Sequence, residues 1–395
     1  YWQILPLGPT SYGDSPYQSF STFAGNPYFI SLEALIEEGV LTKEECDAVD
    51  FGKNERNIDY EKLYLGRYPL LRKAYERSHI HENPDYQKFV AENNWWLSDY
   101  ALFMAVKDRF DGVEWTKWAE DIRLRYGYAM DYYRRELYFD IEFQKYLQFT
   151  FYKQWNKLKA YVNSLGIRMI GDIPIYVAMD SADAWANPSL FQLDEKNVPY
   201  AVAGCPPDGF SATGQLWGNP LYRWEYHRQT GYEWWLKRLS HCFKLYDAVR
   251  IDHFRGFDQY YSIPYGAEDA TRGHWEQGPG IDLFNRVRQV LGEKEVIAED
   301  LGYVTDSVRK LVYDSGFPGM KVLEFAFDSR DSGCANDYLP HNYPENSVAY
   351  TGTHDNETLA GWFDSITKEE QNMVRDYLCD HYTPKKYLYK SLNSL

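Results

Sequence analysis

The chain has 395 residues, a formal net charge of −16 at pH 7 and an aromatic content of 18%. This length can bury a large core and suits an α/β barrel with insertions. The acidic charge and the lack of a basic stripe argue against a nucleic acid or an anionic membrane as partner, and no apolar run approaches the roughly 18 residues of a membrane span. The five cysteines are scattered without a CxxC pattern, which argues against disulfides or zinc and favours a reducing, cytoplasmic location.

The first part of the chain changes from loop to helix. Residues 1–7 ("YWQILPL") predict a short strand, and the next twenty or so residues, rich in Gly, Pro, Ser and Tyr, predict a long loop. Structureless loops longer than about 15 residues are usually functional. From about 31 to 163, apolar residues recur at spacings of three and four, which predicts helices and no strand.

In the rest of the chain, strands alternate with helices. Gly166 ends a helix, and residues 178–226 are rich in loop signals. Strands are predicted over residues 167–177, 246–254, 295–301, 320–327 and 347–355. Helices over 281–292 and 307–315 separate the later strands, which predicts a parallel sheet. Neither GxGxxG nor GxxxxGK[ST] occurs, so nucleotide binding has no support.

Four of these strands carry an acidic residue at the C-terminal end: Asp172, Asp252, Glu299 and Asp355. In a (β/α)8 barrel this is the face that carries the active site. A single strand-end carboxylate more often caps a helix or anchors a loop, but four of them beside Arg250 and His354 favour catalysis. Arg250 and Asp252 share one face of their strand, and a cation keeps a neighbouring carboxylate ionised. For this pair alone, a purely structural ion pair is the alternative.

Clustered carboxylates without a nearby thiol or Ser–His pair suggest glycosyl chemistry. One carboxylic acid protonates the leaving oxygen, and a second carboxylate attacks or stabilises the oxocarbenium-like centre. The rival use of such a cluster is to bind Mg²⁺ or Ca²⁺. Because no D-x-D-x-D-G loop is present and Arg250 opposes a cation beside Asp252, we expect no metal and no other cofactor.

Long motifs run through the chain: "ILPLGPTSYGDSPYQSFSTFAGNPYFISLE", "GDIPIYVAMDSADAW", "DGFSATGQLWGNP", "VRIDHFRGF", "EVIAEDLG" and "YTGTHDNET". They resemble the 4-α-glucanotransferases, also called amylomaltases or disproportionating enzymes, of glycoside hydrolase family 77. The resemblance extends from Tyr1 to beyond Asp355 and implies a (β/α)8 TIM barrel with a large helical insertion and loop subdomains at the C-terminal rim.

The same resemblance divides the chain into three parts. Residues 1–32 correspond to a barrel strand and a substrate loop, 33–150 to the helical insertion, and 151–395 to the catalytic barrel, in which 178–245 form a lid and loop subdomain. The first and last barrel strands of the family have no counterpart here. We therefore expect the sequence to be part of a longer protein.

The resemblance also assigns roles to the strand-end residues. Asp252 would be the nucleophile, Glu299 the general acid/base and Asp355 the third carboxylate, which holds the reacting sugar. Arg250 should keep Asp252 ionised, while His354 and Asp172 should bind sugar hydroxyls. Because the family retains anomeric configuration, it implies a covalent glucosyl-enzyme ester, carboxyl groups about 5–5.5 Å apart and a raised pKa for Glu299.

Two loops complete the expected substrate groove. Tyr12, Asp14, Ser15 and Tyr17 match the loop that lines it, although simple loop packing explains either tyrosine equally well. Residues 204–219 resemble a lid over the acceptor side, with Gln215 and Trp217 at ligand-contacting positions. Gly209 stands where the family often has Tyr, which predicts a looser lid.

The implied reaction is retaining transfer of α-1,4-glucan segments among maltooligosaccharides and glucans derived from starch or glycogen, or to glucose. The nearest alternative is an α-amylase-like retaining hydrolase, which uses the same carboxylates but releases the intermediate to water. An alternative from another class is a catalytically silent glucan-binding protein. The presence of Asp252, Glu299 and Asp355 argues against it.

Overall fold

The computed structural model describes residues 1–54, 56–207, 211–302, 304–329, 335–384 and 392. Its strands are β1 Trp2–Gln3, β2 Met169–Pro174, β3 Ala201–Cys205, β4 Gln215–Pro220, β5 Ala248–Asp252, β6 Gln259–Pro264, β7 His274–Gln277, β8 Val296–Ala298, β9 Gly319–Val322 and β10 Ser347–Tyr350. They form a parallel sheet in the order β1-β2-β5-β8-β9-β10 and an antiparallel sheet in the order β4-β3-β6-β7.

The helices lie mainly between β1 and β2 and around the parallel sheet. They are α1 Leu32–Glu37, α2 Lys43–Asp47, α3 Tyr60–Arg77, α4 Pro84–Arg109, α5 Glu120–Arg123, α6 Gly127–Glu136, α7 Tyr138–Ser164, α8 Ala182–Ala186, α9 Trp224–Gln229, α10 Glu233–Leu245, α11 Ile281–Leu291, α12 Asp306–Ser315, α13 Leu359–Ser365 and α14 Lys368–Leu378. Within the described ranges, none is long and apolar enough to cross a membrane.

Helices α1–α7 fill the stretch between β1 and β2, as the apolar periodicity predicts. Their starts follow local capping chemistry: the Thr42 hydroxyl accepts the Glu45 N–H while the Glu45 carboxylate accepts the Thr42 N–H, and Asn83 caps α4 just before Pro84. Helix α7 runs through residue 150. The division of the chain at that residue stays a prediction.

The parallel sheet, with helices between its successive strands, has a TIM-barrel-like α/β arrangement. Its central strands are nearly continuous runs of buried residues, which is typical of strands covered on both faces. The register pairs Asp172 with Arg250 on β2 and β5, and Ile251 with Ala298 on β5 and β8. Asp252 and Glu299, one residue further along, therefore lie at the same level of the rim.

The strand predictions were right in place but too long. The segment predicted as a strand over 320–327 leaves the sheet at Val322, and Leu323–Phe327 form a 3-10 helix. That turn buries Leu323, Ala326 and Phe327 in a second apolar cluster with Phe363 and Val374. Tertiary packing, rather than local β-propensity, thus ends the strand.

The loop-rich interpretation of residues 178–226 was incomplete, because β3 and β4 lie inside this range and pair with each other, and β3 also pairs with β6. The pairing depends on Gly204, where a Cβ atom would lie 2.1 Å from the Gln215 carbonyl oxygen. A bulge between Val202 and Gly204 interrupts the register. Glycine and irregular pairing hide such strands from a reading based on alternation.

Candidate active site

Arg250 joins two of the predicted carboxylates. One of its terminal nitrogens, Nη1, donates to both carboxylate oxygens of Asp172 at 2.8 Å, and Nη2 donates to Asp252 Oδ1 at 2.9 Å. The Arg250 and Asp172 side chains are only 4% and 1% exposed, whereas Asp252 faces the rim with 31% of its side chain exposed. A single guanidinium charge is therefore shared by two carboxylates, and only one of them is open to a ligand.

The pKa of Asp252 shows the effect of this sharing. Burial raises it to about 6, with Asp172 and Asp355 adding to the rise and Arg250 opposing it. We expected Arg250 to hold Asp252 ionised, and it does lower the pKa, but burial outweighs a cation that also serves Asp172. With its pKa at about 6, Asp252 remains mainly ionised at neutral pH.

Glu299 follows β8 directly, and its two oxygens are held by backbone donors. The His253 N–H donates to Oε2 at 2.6 Å, and the Leu301 N–H donates to Oε1 at 3.0 Å. Burial and then the negative charge of Asp252 raise the pKa of Glu299 to about 7, against the lowering effects of Arg250 and both N–H groups. The predicted rise is thus present. Near neutral pH, this carboxyl retains a proton more readily than Asp252 does.

The sequence reasoning missed the two backbone donors to Glu299. Every residue carries an N–H except proline, so residue types give no signal for such contacts. In the structure, the His253 N–H can reach Glu299 because the His253 backbone has φ +54° and ψ +47°. That left-handed conformation is uncommon for a residue with a side chain.

Tyr17 connects the N-terminal loop to the rim. Its hydroxyl donates to Asp172 Oδ2 at 2.6 Å and lies 3.0 Å from His354 Nε2. The Tyr17 and His354 rings stack with centroids 5.3 Å apart and planes 13° apart. Tyr17 therefore does more than pack its own loop, because it links β2 to the segment after β10.

Asp355 reaches the same rim but stands apart from the other carboxylates. Its Oδ2 lies 3.4 Å from His354 Nε2, and 79% of its side chain is exposed. It influences the rest of the site through charge, since it contributes to the raised pKa of Asp252. An exposed carboxylate at this rim is open to a ligand.

The remaining predicted residues lie on the N-terminal loop and on strand β4. Ser15 accepts the Tyr17 N–H at 3.3 Å, and Asp14 has a left-handed backbone with φ +52°; in the described part of the chain, neither bonds to the strand-end carboxylates. The side chain of Tyr12 and the whole of Gly209 lie outside the described residues, so the looser lid stays a prediction. On β4, Trp217 Nε1 donates to Gln215 Oε1 at 2.9 Å.

The fold and the site together indicate the class of protein. A barrel-like parallel sheet presents a partly exposed, arginine-paired carboxylate beside a carboxyl whose pKa is raised, with a tyrosine, a histidine and a third carboxylate around them. This combination is typical of enzymes that break glycosidic bonds with retention of configuration.

Comparison with known proteins specifies the family. The family model described as 4-alpha-glucanotransferase matches residues 1–393. The 4-alpha-glucanotransferase of Clostridium butyricum is 49% identical over 379 residues, which cover 95% of this chain and 77% of that protein. The enzyme of the same name from Thermus thermophilus is 47% identical over 386 residues, covering 96% and 76%.

A solved structure agrees with the sequence comparison. The amylomaltase of Streptococcus agalactiae, in complex with acarbose, matches with a TM-score of 0.94 and 41% identity, covering 100% of this chain and 79% of that one. The chain belongs to the 4-alpha-glucanotransferases of glycoside hydrolase family 77.

Proposed function

We propose that this protein is a retaining 4-α-glucanotransferase, which moves α-1,4-glucan segments from one maltooligosaccharide or glucan to another, or to glucose. One observation carries the proposal: Asp252, paired with Arg250, lies level with Glu299, whose pKa is raised to about 7. Membership of the family supports the same activity. Starch- or glycogen-derived glucans are the proposed natural substrates.

In the first half-reaction, the ionised Asp252 attacks the anomeric carbon of the donor. A carbon–oxygen bond forms to the carboxylate while the bond to the leaving glucan oxygen breaks, and Glu299 gives that oxygen its proton. The products are a β-glucosyl ester on Asp252 and a released glucan with a free hydroxyl. Glu299 is left as a carboxylate, held by the N–H groups of His253 and Leu301.

In the second half-reaction, Glu299 acts as the base. It takes the proton of an acceptor 4-hydroxyl, whose oxygen attacks the anomeric carbon and expels Asp252 as a carboxylate. Two inversions at the same carbon give net retention. We propose that Asp172, Tyr17, His354 and Asp355 bind hydroxyls of the reacting sugar, since contacts join them to one another at the rim and Asp172 shares Arg250 with Asp252.

The finer architecture is part of the same proposal. We propose that the parallel strands belong to an eight-stranded barrel with its helical insertion and rim loops, and that Gln215 and Trp217 line the acceptor side. The match to an amylomaltase structure supports this arrangement. Covering the acceptor side keeps water from the ester and favours transfer over hydrolysis.

Incubation with maltotriose tests the function. We expect glucose together with glucans longer than maltotriose, at a nearly constant number of reducing ends, because each transfer makes as many ends as it uses. Chromatography of the products and a reducing-end assay measure both quantities. Rising reducing ends without longer glucans would identify a hydrolase, and the absence of any product would leave a binding protein.

A further inference from the structure

His253 directly follows Asp252 and contacts both Glu299 and Trp217. Its backbone N–H donates to Glu299 Oε2 at 2.6 Å. The N–H can point there because residue 253 adopts a left-handed conformation, with φ +54° and ψ +47°. A residue with a side chain keeps this conformation only where the surrounding structure enforces it.

The side chain of His253 shows what enforces the conformation. Its imidazole meets the Trp217 ring edge-on, with centroids 4.9 Å apart and planes at 88°, and lies 6.4 Å from the Tyr176 ring. Burial lowers the pKa of His253 to about 3, so the ring is neutral. Its Nε2 is buried and has no hydrogen-bond partner among the described residues. Aromatic packing, rather than a polar contact of Nε2, holds this ring.

Trp217 belongs to β4, which is the edge strand of the antiparallel sheet. The ring is partly exposed, and its indole N–H donates to Gln215 on the same strand. A change in the position of Trp217 therefore reaches His253 through direct ring contact. From His253 it reaches Glu299 through a single hydrogen bond.

We propose that His253 is a positioning residue, which couples Trp217 of β4 to the acid/base Glu299. The packed imidazole holds residue 253 in the left-handed conformation, and that conformation aims the N–H at the Glu299 carboxyl. The inference rests on the proposed function, because it needs Glu299 to deliver the proton. It makes proton delivery depend on the position of the Trp217 ring.

The test compares donors that need the proton with a donor that does not. Maltotriose has a sugar alkoxide as leaving group, whereas α-glucosyl fluoride releases fluoride without protonation. The variants are His253→Asn, which tolerates a left-handed backbone, Trp217→Ala, and the double variant. His79→Asn is the matched control, because His79 is also left-handed, with φ +47°, but lies exposed in the helical region.

We expect both single variants to cleave maltotriose at least about tenfold more slowly, as misplaced catalytic groups do. Fluoride release in the first turnover should change less than about threefold, since it bypasses the proton donor. The double variant should be no slower than the slower single variant, because both changes act on one contact chain. His79→Asn should match the wild type on both donors.

Equal losses on the two donors, or losses that multiply in the double variant, would overturn the coupling. If His253→Asn fails to fold, Trp217→Ala decides through the split between kcat and KM for maltotriose. A misplaced Glu299 lowers kcat at saturating maltotriose, whereas the loss of an acceptor-side contact alone raises KM and would overturn the coupling. A wild type that hydrolyses maltotriose without lengthening it would contradict the proposed function. The donor comparison would still report on His253 in that case.

Discussion

Arg250 contacts two carboxylates rather than Asp252 alone. Its two terminal nitrogens reach Asp172 and Asp252, so the guanidinium fixes the geometry of both carboxylates while neutralising neither completely. Asp252 and Glu299 consequently differ in pKa. Asp252 has its pKa at about 6, and Glu299, without a hydrogen bond from Arg250, has its pKa at about 7.

This difference predicts the pH dependence of kcat/KM for maltotriose. Below the lower pKa, Asp252 gains a proton and cannot attack; above the higher one, Glu299 loses its proton and cannot assist departure. We expect a bell-shaped profile with limbs near pH 6 and pH 7, because the pKa values of about 6 and about 7 belong to the interacting pair of carboxyl groups. Initial rates across pH 4–10 measure it, and a profile flat through this window would contradict the assignment.

Glu299→Gln separates proton donation from nucleophilic attack. We expect nearly complete loss of activity on maltotriose, because the leaving alkoxide receives no proton. With α-glucosyl fluoride the ester should still form and then accumulate, because the acceptor hydroxyl lacks its base. Mass spectrometry of the peptide that spans Asp252 detects it.

In the same Glu299→Gln variant, Asp355 is the alternative site for the label, since that carboxylate is exposed and makes no hydrogen bond to Arg250 among the described residues. Labelling found on Asp355 instead of Asp252 would show that the roles of two carboxylates are exchanged. Turnover of the fluoride with neither residue labelled would contradict the covalent route.

At the scale of elements, β2 depends on a close approach between strand and helix end. A Cβ atom at Gly171 would lie 2.2 Å from the ring of Tyr246, which is buried just after α10. The Tyr246 ring therefore limits how β2, the strand that carries Asp172, can be positioned.

Gly171→Ala should lower the free energy of unfolding by about 1–3 kcal/mol, as overpacking does in a tight core. The matched control is Gly127→Ala at the start of α6, where nothing lies within 4 Å; it should be neutral or stabilising by about 0.4–1 kcal/mol. Urea denaturation followed by fluorescence compares the two. Similar effects at both sites would show that Tyr246 yields.

Much of this arrangement could be predicted from the sequence, and the limits are physical. Apolar runs that end near an acidic residue predict β2, β5, β8 and the segment after β10. Residues i and i+2 of a strand share a face, which predicts that Arg250 and Asp252 lie together. The sharing of Arg250 with Asp172 depends on the register between strands, which the sequence does not encode locally. The contact of Trp217 with His253 joins two separate sheets, so no local pattern could indicate it.

At the scale of the whole molecule, we predict that activity and stability do not depend on a metal ion. Arg250 supplies a fixed positive charge among the carboxylates, and a divalent cation beside Asp252 would be repelled by it. Treatment with EDTA should leave the maltotriose rate and the thermal midpoint unchanged. A loss of either that Ca²⁺ restores would contradict this, and Mg²⁺ serves as the second cation to compare.

The shared guanidinium also has a consequence for the electrostatic balance of the cycle. Before reaction, the charges of Asp172, Arg250 and Asp252 add to one negative charge, and Glu299 is neutral in the proposed mechanism. Once the ester has formed, Asp172 and Arg250 cancel and the negative charge resides on Glu299, between two backbone N–H groups. The charge only changes its place, so the site needs no additional ion to balance it while the covalent sugar waits for an acceptor.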